Sequence, residues 1–245
     1  MTQLGLDYPT QWGRQYPARL ARNLYHLFYV GPVVRYLSTL DAQGLEHLSG
    51  PGPYILVANH TSNFDTPLVL TALPTTVRKR TVVAAAMDNF FMDRWTAFKT
   101  VFVFNAIPID RHKINRRSSQ QALELVERGW NLLIFPEGGR TPTGQLQEFK
   151  GGAAYLAERT KAAVVPTYIH DAGLLQGPKY AKAPQFLEAP NQKRHHVSVT
   201  FGPAMFCAEG ENIRRFNTRI EEAVVALGQD VSGNRDYNIT RPSRP

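Results

Sequence analysis

Cysteine is almost absent from the 245 residues: Cys207 stands alone, which excludes an intrachain disulfide and any metal site built on several thiolates and suits a reducing compartment. Long apolar runs are also missing. No stretch approaches about 18 apolar residues free of charges and turn formers, so no transmembrane helix is expected. The opening MTQLGLDYPTQWGRQYP is polar where a secretory signal would be apolar. There is neither a Walker loop nor a G-x-G-x-x-G fingerprint, and no G-x-S-x-G elbow of the kind that carries a serine acyl-enzyme. Histidines number 7, and His195-His196 falls in the basic, solvated KRHH, so no metal site is expected. Acidic residues are outnumbered 20 to 28, for a formal charge of +8. That balance attracts anions and leaves nucleic acid, acidic lipids and phosphorylated small molecules open. With no aromatic–basic RNA motif or DNA-reading unit, nucleic acid is not expected as a partner.

What is present is enough apolar sequence, 43% of residues, to bury the core of one large domain. Beyond the loop SGPGP at 49–53, short apolar runs near 54–58, 82–86, 103–109, 131–135, 163–169 and 196–201 alternate with helical patterns near 66–73, 88–98, 118–128, 151–160 and 211–227. This alternation predicts an α/β fold, a single domain with a mostly parallel or mixed sheet flanked by helices. In the last helix Ile213, Phe216, Ile220, Val224 and Leu227 share a face. Residues 17–30 predict an amphipathic helix with Leu20, Leu24, Leu27 and Phe28 on one side and Arg19, Arg22, Asn23 and His26 on the other. Gly31-Pro32 is expected to stop it, and a second helical piece over 33–40 to pack back as a hairpin. The expected organisation is an N-terminal helical, membrane-associating segment over 1–50, an α/β domain over 51–230 and a loose tail over 231–245. The apolar stripe of the first helix has two readings: it packs on the core, or it lies on a bilayer surface with arginines toward acidic head groups.

In α/β sheets the loops at the carboxyl ends of strands carry function, and three such loops here are chemically unusual. In NHTSNFD, Asn59–Asp65, a histidine ends a strand and a carboxylate opens a helix five residues on. A carboxylate on Nδ1 fixes the imidazole tautomer and leaves Nε2 as a base; in the plainer alternative Asp65 only caps a helix and His60 is an ordinary polar strand end. The second loop ends IPIDR at Arg111. The third follows LLIFPEGGRTPTG, where Gly138 and Gly139 allow tight turns and close ligand approach. Arg111 and Arg140 each suit a phosphate or carboxylate, or a surface ion pair.

Together these stretches resemble the 1-acylglycerol-3-phosphate acyltransferases and their glycerolipid relatives. Asn59, His60 and Asp65 match the family's NHxxxxD; FPEGGRT over 135–141 is similar to FPEGTRS; AIPIDR, Val165-Pro166-Thr167 and FKGGAAYLA over 149–157 resemble its remaining motifs, in order across 59–169. The resemblance implies that His60, oriented by Asp65, deprotonates an acceptor hydroxyl. The hydroxyl attacks an acyl thioester directly, with no acyl-enzyme and no cofactor, and coenzyme A or acyl carrier protein leaves. It implies substrate-binding roles for Asn59, Arg111, Glu137, Gly138, Gly139, Arg140, Thr141 and Lys150. It also implies a lysolipid acceptor such as 1-acylglycerol-3-phosphate, or another hydroxyl acceptor such as a glycolipid, and a peripheral place on the cytoplasmic face of an anionic membrane. A silent lipid-binding module is the alternative of a different class. The chain departs from the family where a lysine often follows the second strand, here Ala86-Met87, and where a glycine opens the second motif, here Asn105.

Overall fold

The computed structural model of the chain describes residues 4–111, 116–139, 146–175 and 194–231. Within them, strands β1 (Ser38–Gln43), β2 (Tyr54–Ala58), β3 (Thr81–Ala86), β4 (Ala106–Ile109), β5 (Asn131–Ile134), β6 (Ala163–His170) and β7 (His195–Phe201) form one sheet in the order β1-β7-β6-β2-β5-β3-β4. Only β6–β7 is antiparallel. The helices are α1 (Tyr16–Tyr25), α2 (Gly31–Leu37), α3 (Asp65–Ala72), α4 (Thr75–Arg78), α5 (Met87–Phe90), α6 (Arg94–Phe104), α7 (Arg116–Glu127), α8 (Gly152–Thr160) and α9 (Ile213–Val231).

The sheet is sandwiched between two helical layers. YILVA of β2 is buried at every position, as a central parallel strand covered on both faces must be. Its alternation sorts the core: Leu56 and Ala58 join Val34, Leu68, Val69, Ala97 and Val101 on one face. Ile55 and Val57 join Ala122, Val126, Ala154, Phe216, Ile220 and Val224 on the other, since successive side chains of a strand point to opposite sides. The α9 stripe read from sequence is therefore the stripe that packs. Pro108 sits in β4, the last strand in the sheet order, where a missing N–H is tolerated.

The N-terminal hairpin does not form. Residues 16–37 run on as one helical stretch, because His26–Val30 adopts a π-helical turn in which the Gly31 N–H donates to the His26 carbonyl. That wider turn shifts the hydrogen-bond register just before Pro32, whose ring and missing N–H would otherwise break the helix. Residues 38–40, the end of the helical piece read over 33–40, instead open edge strand β1, paired parallel to β7, so the N-terminal segment contributes to the sheet instead of standing apart from it. The orientation of α1 is the reverse of a core-packed helix. Arg22 and His26 are buried at 5% and 6%, whereas Leu20, Leu24, Leu27 and Phe28 are exposed at 45%, 47%, 59% and 73%. Arg22 donates to the Gly13 carbonyl, and His26 Nε2 bonds the Val103 carbonyl at 2.8 Å. The tail beyond 231 lies outside the described residues.

Candidate active site

Strands β2 to β6 run parallel, so their carboxyl ends share one edge of the sheet, and the three loops singled out in the sequence follow β2, β4 and β5 there. After β2, the chain turns through Ser62, whose carbonyl accepts the Asp65 N–H at 3.3 Å, and starts α3 at Asp65. The Asp65 side chain folds back over this turn. Its Oδ2 accepts His60 Nδ1–H at 2.7 Å, Thr61 N–H at 2.7 Å and Ser62 N–H at 2.8 Å. The carboxylate is fully buried, and the donors converging on it offset the loss of hydration that burying a charge entails. With Nδ1 taken by the carboxylate, Nε2 is the ring nitrogen left for chemistry, on a side chain that keeps 22% exposure. The Phe135 ring stacks on the imidazole with centroids 4.3 Å apart.

Glu137 reaches the same histidine from the β5 loop. Its Oε1 accepts the His60 N–H at 2.7 Å and its Oε2 accepts the Gln147 N–H at 3.0 Å, so this buried carboxylate clamps the β2 loop to the loop before α8. Asn59 works similarly: its amide donates to the Ile169 carbonyl at 3.1 Å and accepts the Ile169 N–H at 2.7 Å, joining the end of β2 to β6. It is 2% exposed, and both of these bonds are to protein backbone.

Arg111, just past β4, donates from Nε and Nη2 to Asp88 Oδ2 at 3.0 and 2.7 Å and from Nη1 to the Gly138 carbonyl at 3.1 Å. Lys150 Nζ donates to the Arg111 carbonyl at 2.6 Å and passes over Gly138, where an added Cβ would lie 2.5 Å from it. Gly138 has φ +71°, a left-handed conformation that suits glycine. Gly139 packs near Arg111 Nη1. Asn105 has φ 54° at the end of α6, the left-handed turn that asparagine tolerates, and its amide donates to the Thr81 carbonyl. Arg140 and Thr141 lie outside the described residues. Cys207 follows β7, its thiol pushed up by desolvation and by Glu211, which disfavours the thiolate a nucleophile needs.

The edge thus gathers His60, Asp65, Glu137, Arg111, Gly138, Gly139 and Lys150. Sequence reasoning missed Asp88, Phe135 and Gln147. Asp88 carried a signal, an acid two residues beyond an apolar strand end, but its partner is 23 residues away.

A family model described as Acyltransferase matches residues 39–170. Among curated relatives, the 1-acyl-sn-glycerol-3-phosphate acyltransferase of Saccharomyces cerevisiae is 29% identical over 194 residues, covering 73% of this chain and 55% of the relative. A probable 1-acyl-sn-glycerol-3-phosphate acyltransferase of Mycoplasma pneumoniae is 30% identical over 117 residues, 47% of this chain and 43% of the relative. The human 1-acyl-sn-glycerol-3-phosphate acyltransferase alpha is 28% identical, with coverages of 52% and 44%. The chain thus spans about half the length of these relatives. The crystal structure of the 1-acyl-sn-glycerophosphate acyltransferase PlsC from Thermotoga maritima superposes with a TM-score of 0.64 over 92% of this chain and 84% of that one, at 20% identity, a likeness of fold. Because the matched segment is more than half of the sequence and contains the histidine–aspartate loop, both glycines after β5 and the β6 strand, the chain belongs to the acyltransferase family.

Proposed function

We propose that the protein is an O-acyltransferase that moves a fatty acyl group from a thioester of coenzyme A or acyl carrier protein to the hydroxyl of a lysophospholipid of the 1-acylglycerol-3-phosphate type. The observation that carries the reading is the 2.7 Å bond from His60 Nδ1 to a fully buried carboxylate. Nε2 takes the acceptor hydroxyl proton as the oxygen attacks the thioester carbonyl. The new C–O ester bond forms, the C–S bond breaks, and the departing thiolate recovers the proton from the imidazolium. Asp65 acts through His60 by fixing its tautomer and balancing the imidazolium charge. Glu137 holds the backbone N–H of His60 and Asn59 ties the residue before it to β6, so their part is positioning. Arg111 and Lys150 form the cationic side of the site and face the acceptor's polar head.

The lipid acceptor is reached from the bilayer surface. Among the described residues no helix is long and apolar enough to cross a membrane. The outward face of α1 supplies Leu20 and Leu24, the π-helical turn after it Leu27, Phe28 and Tyr29, and α2 Tyr36, all exposed. A helical stretch that buries Arg22 and His26 and presents its leucines, with Arg19 also outward, suits a place in an interface. An apolar patch of this kind on a soluble surface marks a contact site. The test of the reading is product analysis of the purified protein with isotope-labelled acyl-CoA and a panel of lysolipids. A labelled diacyl product supports it. Binding of lysolipid without any acyl transfer, from coenzyme A or carrier-protein donors, would return the chain to the silent lipid-binding reading.

A further inference from the structure

β3 and β4 are adjacent and parallel, with Ala86 opposite Ile109. Two residues past that pair, the chains deliver Asp88, in the first turn of α5, and Arg111. The register therefore sets an acid against the cation of the acceptor side. The contact is close: two guanidinium nitrogens share one carboxylate oxygen at 3.0 and 2.7 Å, while the third turns to the Gly138 carbonyl at 3.1 Å. Both side chains remain partly open, 25% for Arg111 and 32% for Asp88, so an incoming head group meets a neutral ion pair where an unpaired arginine would offer a full positive charge. Lys150, directed at the Arg111 carbonyl, is the remaining cation of the cluster among the described residues.

We infer that Asp88 is a specificity-determining residue that competes with the acceptor head group for Arg111, raising the cost of binding a phosphate monoester relative to an uncharged head. A dianionic head must either displace the carboxylate from the guanidinium or approach it against like-charge repulsion. An uncharged glycerol head needs neither, and specificity is the difference between the two. Of the five guanidinium N–H groups, three are engaged in these bonds, so the acceptor's share of Arg111 is set by how firmly Asp88 holds it. The inference rests on the acyl-transfer reading above and refines its acceptor side.

The test compares kcat/KM for 1-acylglycerol-3-phosphate and for the matching monoacylglycerol, at fixed ionic strength, in the unmodified protein, Asp88→Asn and Asp88→Glu. Asparagine keeps an acceptor oxygen and removes the charge. The ratio of phosphorylated to uncharged acceptor should rise about two- to fivefold in Asp88→Asn, the size of a partly exposed charge pair, with the change carried by KM, and should return toward the unmodified ratio in Asp88→Glu. An unchanged ratio would overturn the inference. A lower ratio would overturn it too, since Asp88 would then be orienting Arg111 for the phosphate. Asp88→Ser repeats the measurement if asparagine impairs folding. Absence of transfer to both acceptors in the unmodified protein would instead sink the acyltransferase reading itself, so the two failures are distinguishable.

Discussion

Replacing Asp65 by asparagine isolates the electrostatic part of the His60–Asp65 pair. At the Oδ2 position two backbone N–H groups, from Thr61 and Ser62, converge beside the imidazole Nδ1. Those donors select the amide oxygen for that position, because an amide NH₂ there would face two N–H groups. The tautomer of His60 is therefore retained and the charge alone is lost. A unit charge pair about 4 Å apart at an effective dielectric near 20 is worth about 4 kcal/mol. The retained neutral hydrogen bond recovers part of this, so the barrier should rise by about 2 to 4 kcal/mol. At about 1.4 kcal/mol per decade, kcat falls by about 30- to 1,000-fold. The same change converts two buried charge-assisted backbone hydrogen bonds to neutral ones, at about 1 kcal/mol each, so the fold should lose about 2 kcal/mol. Single-turnover acyl transfer, with circular dichroism and a thermal melt on the same sample, reads both effects. A folded Asp65→Asn protein with kcat within about threefold of the unmodified protein would refute the reasoning, since the carboxylate charge would then do nothing for the imidazolium.

Two other expectations follow from the N-terminal helix. Leu24→Glu with Phe28→Glu should abolish co-sedimentation with anionic vesicles while leaving the melt intact, because both side chains point outward; retained vesicle binding would move the contact surface elsewhere, and a lost fold would show that the stripe packs on the core. Burial, reinforced by Arg78 and Arg22 and opposed by the Val103 hydrogen bond, holds His26 below its ordinary value, so the unfolded chain takes up this proton first as pH falls. Its contribution to stability is complete above about pH 6.5 and declines as pH drops toward the folded-state value. The thermal midpoint should therefore fall on acidification, and His26→Gln should flatten that slope; an identical slope in the variant would exclude His26 as its source.

Much of this architecture was legible because the central strands are continuous apolar runs and the site loops are short stretches whose members neighbour one another in sequence. His60 and Asp65 meet within one turn, so spacing alone brought them together. What stayed hidden depends on distant partners. β1 reads STLDAQ, whose only apolar residues, Leu40 and Ala42, alternate over too short a run to mark a strand, and both are only partly buried against the core. The apolar run over 103–109 reads as one strand, yet Asn105 breaks it in the left-handed region and gives Val103 and Phe104 to α6. The amphipathic pattern of α1 shows that two faces exist and is silent on which one turns inward. Asp88 reaches Arg111 through the β3–β4 register, which no local pattern encodes, and Glu137 spends its carboxylate on the backbone of a residue 77 positions away.

The central claim is that Nε2 of His60 is the base for acyl transfer, and the most direct measurement is the single-turnover rate of His60→Ala with labelled acyl-CoA and 1-acylglycerol-3-phosphate, beside a melt that verifies the fold. Because general-base assistance is worth about 10²- to 10⁴-fold, the account predicts a loss of at least that order, no smaller than the loss in Asp65→Asn, while acceptor binding persists. Near-normal turnover by a folded His60→Ala protein would contradict it.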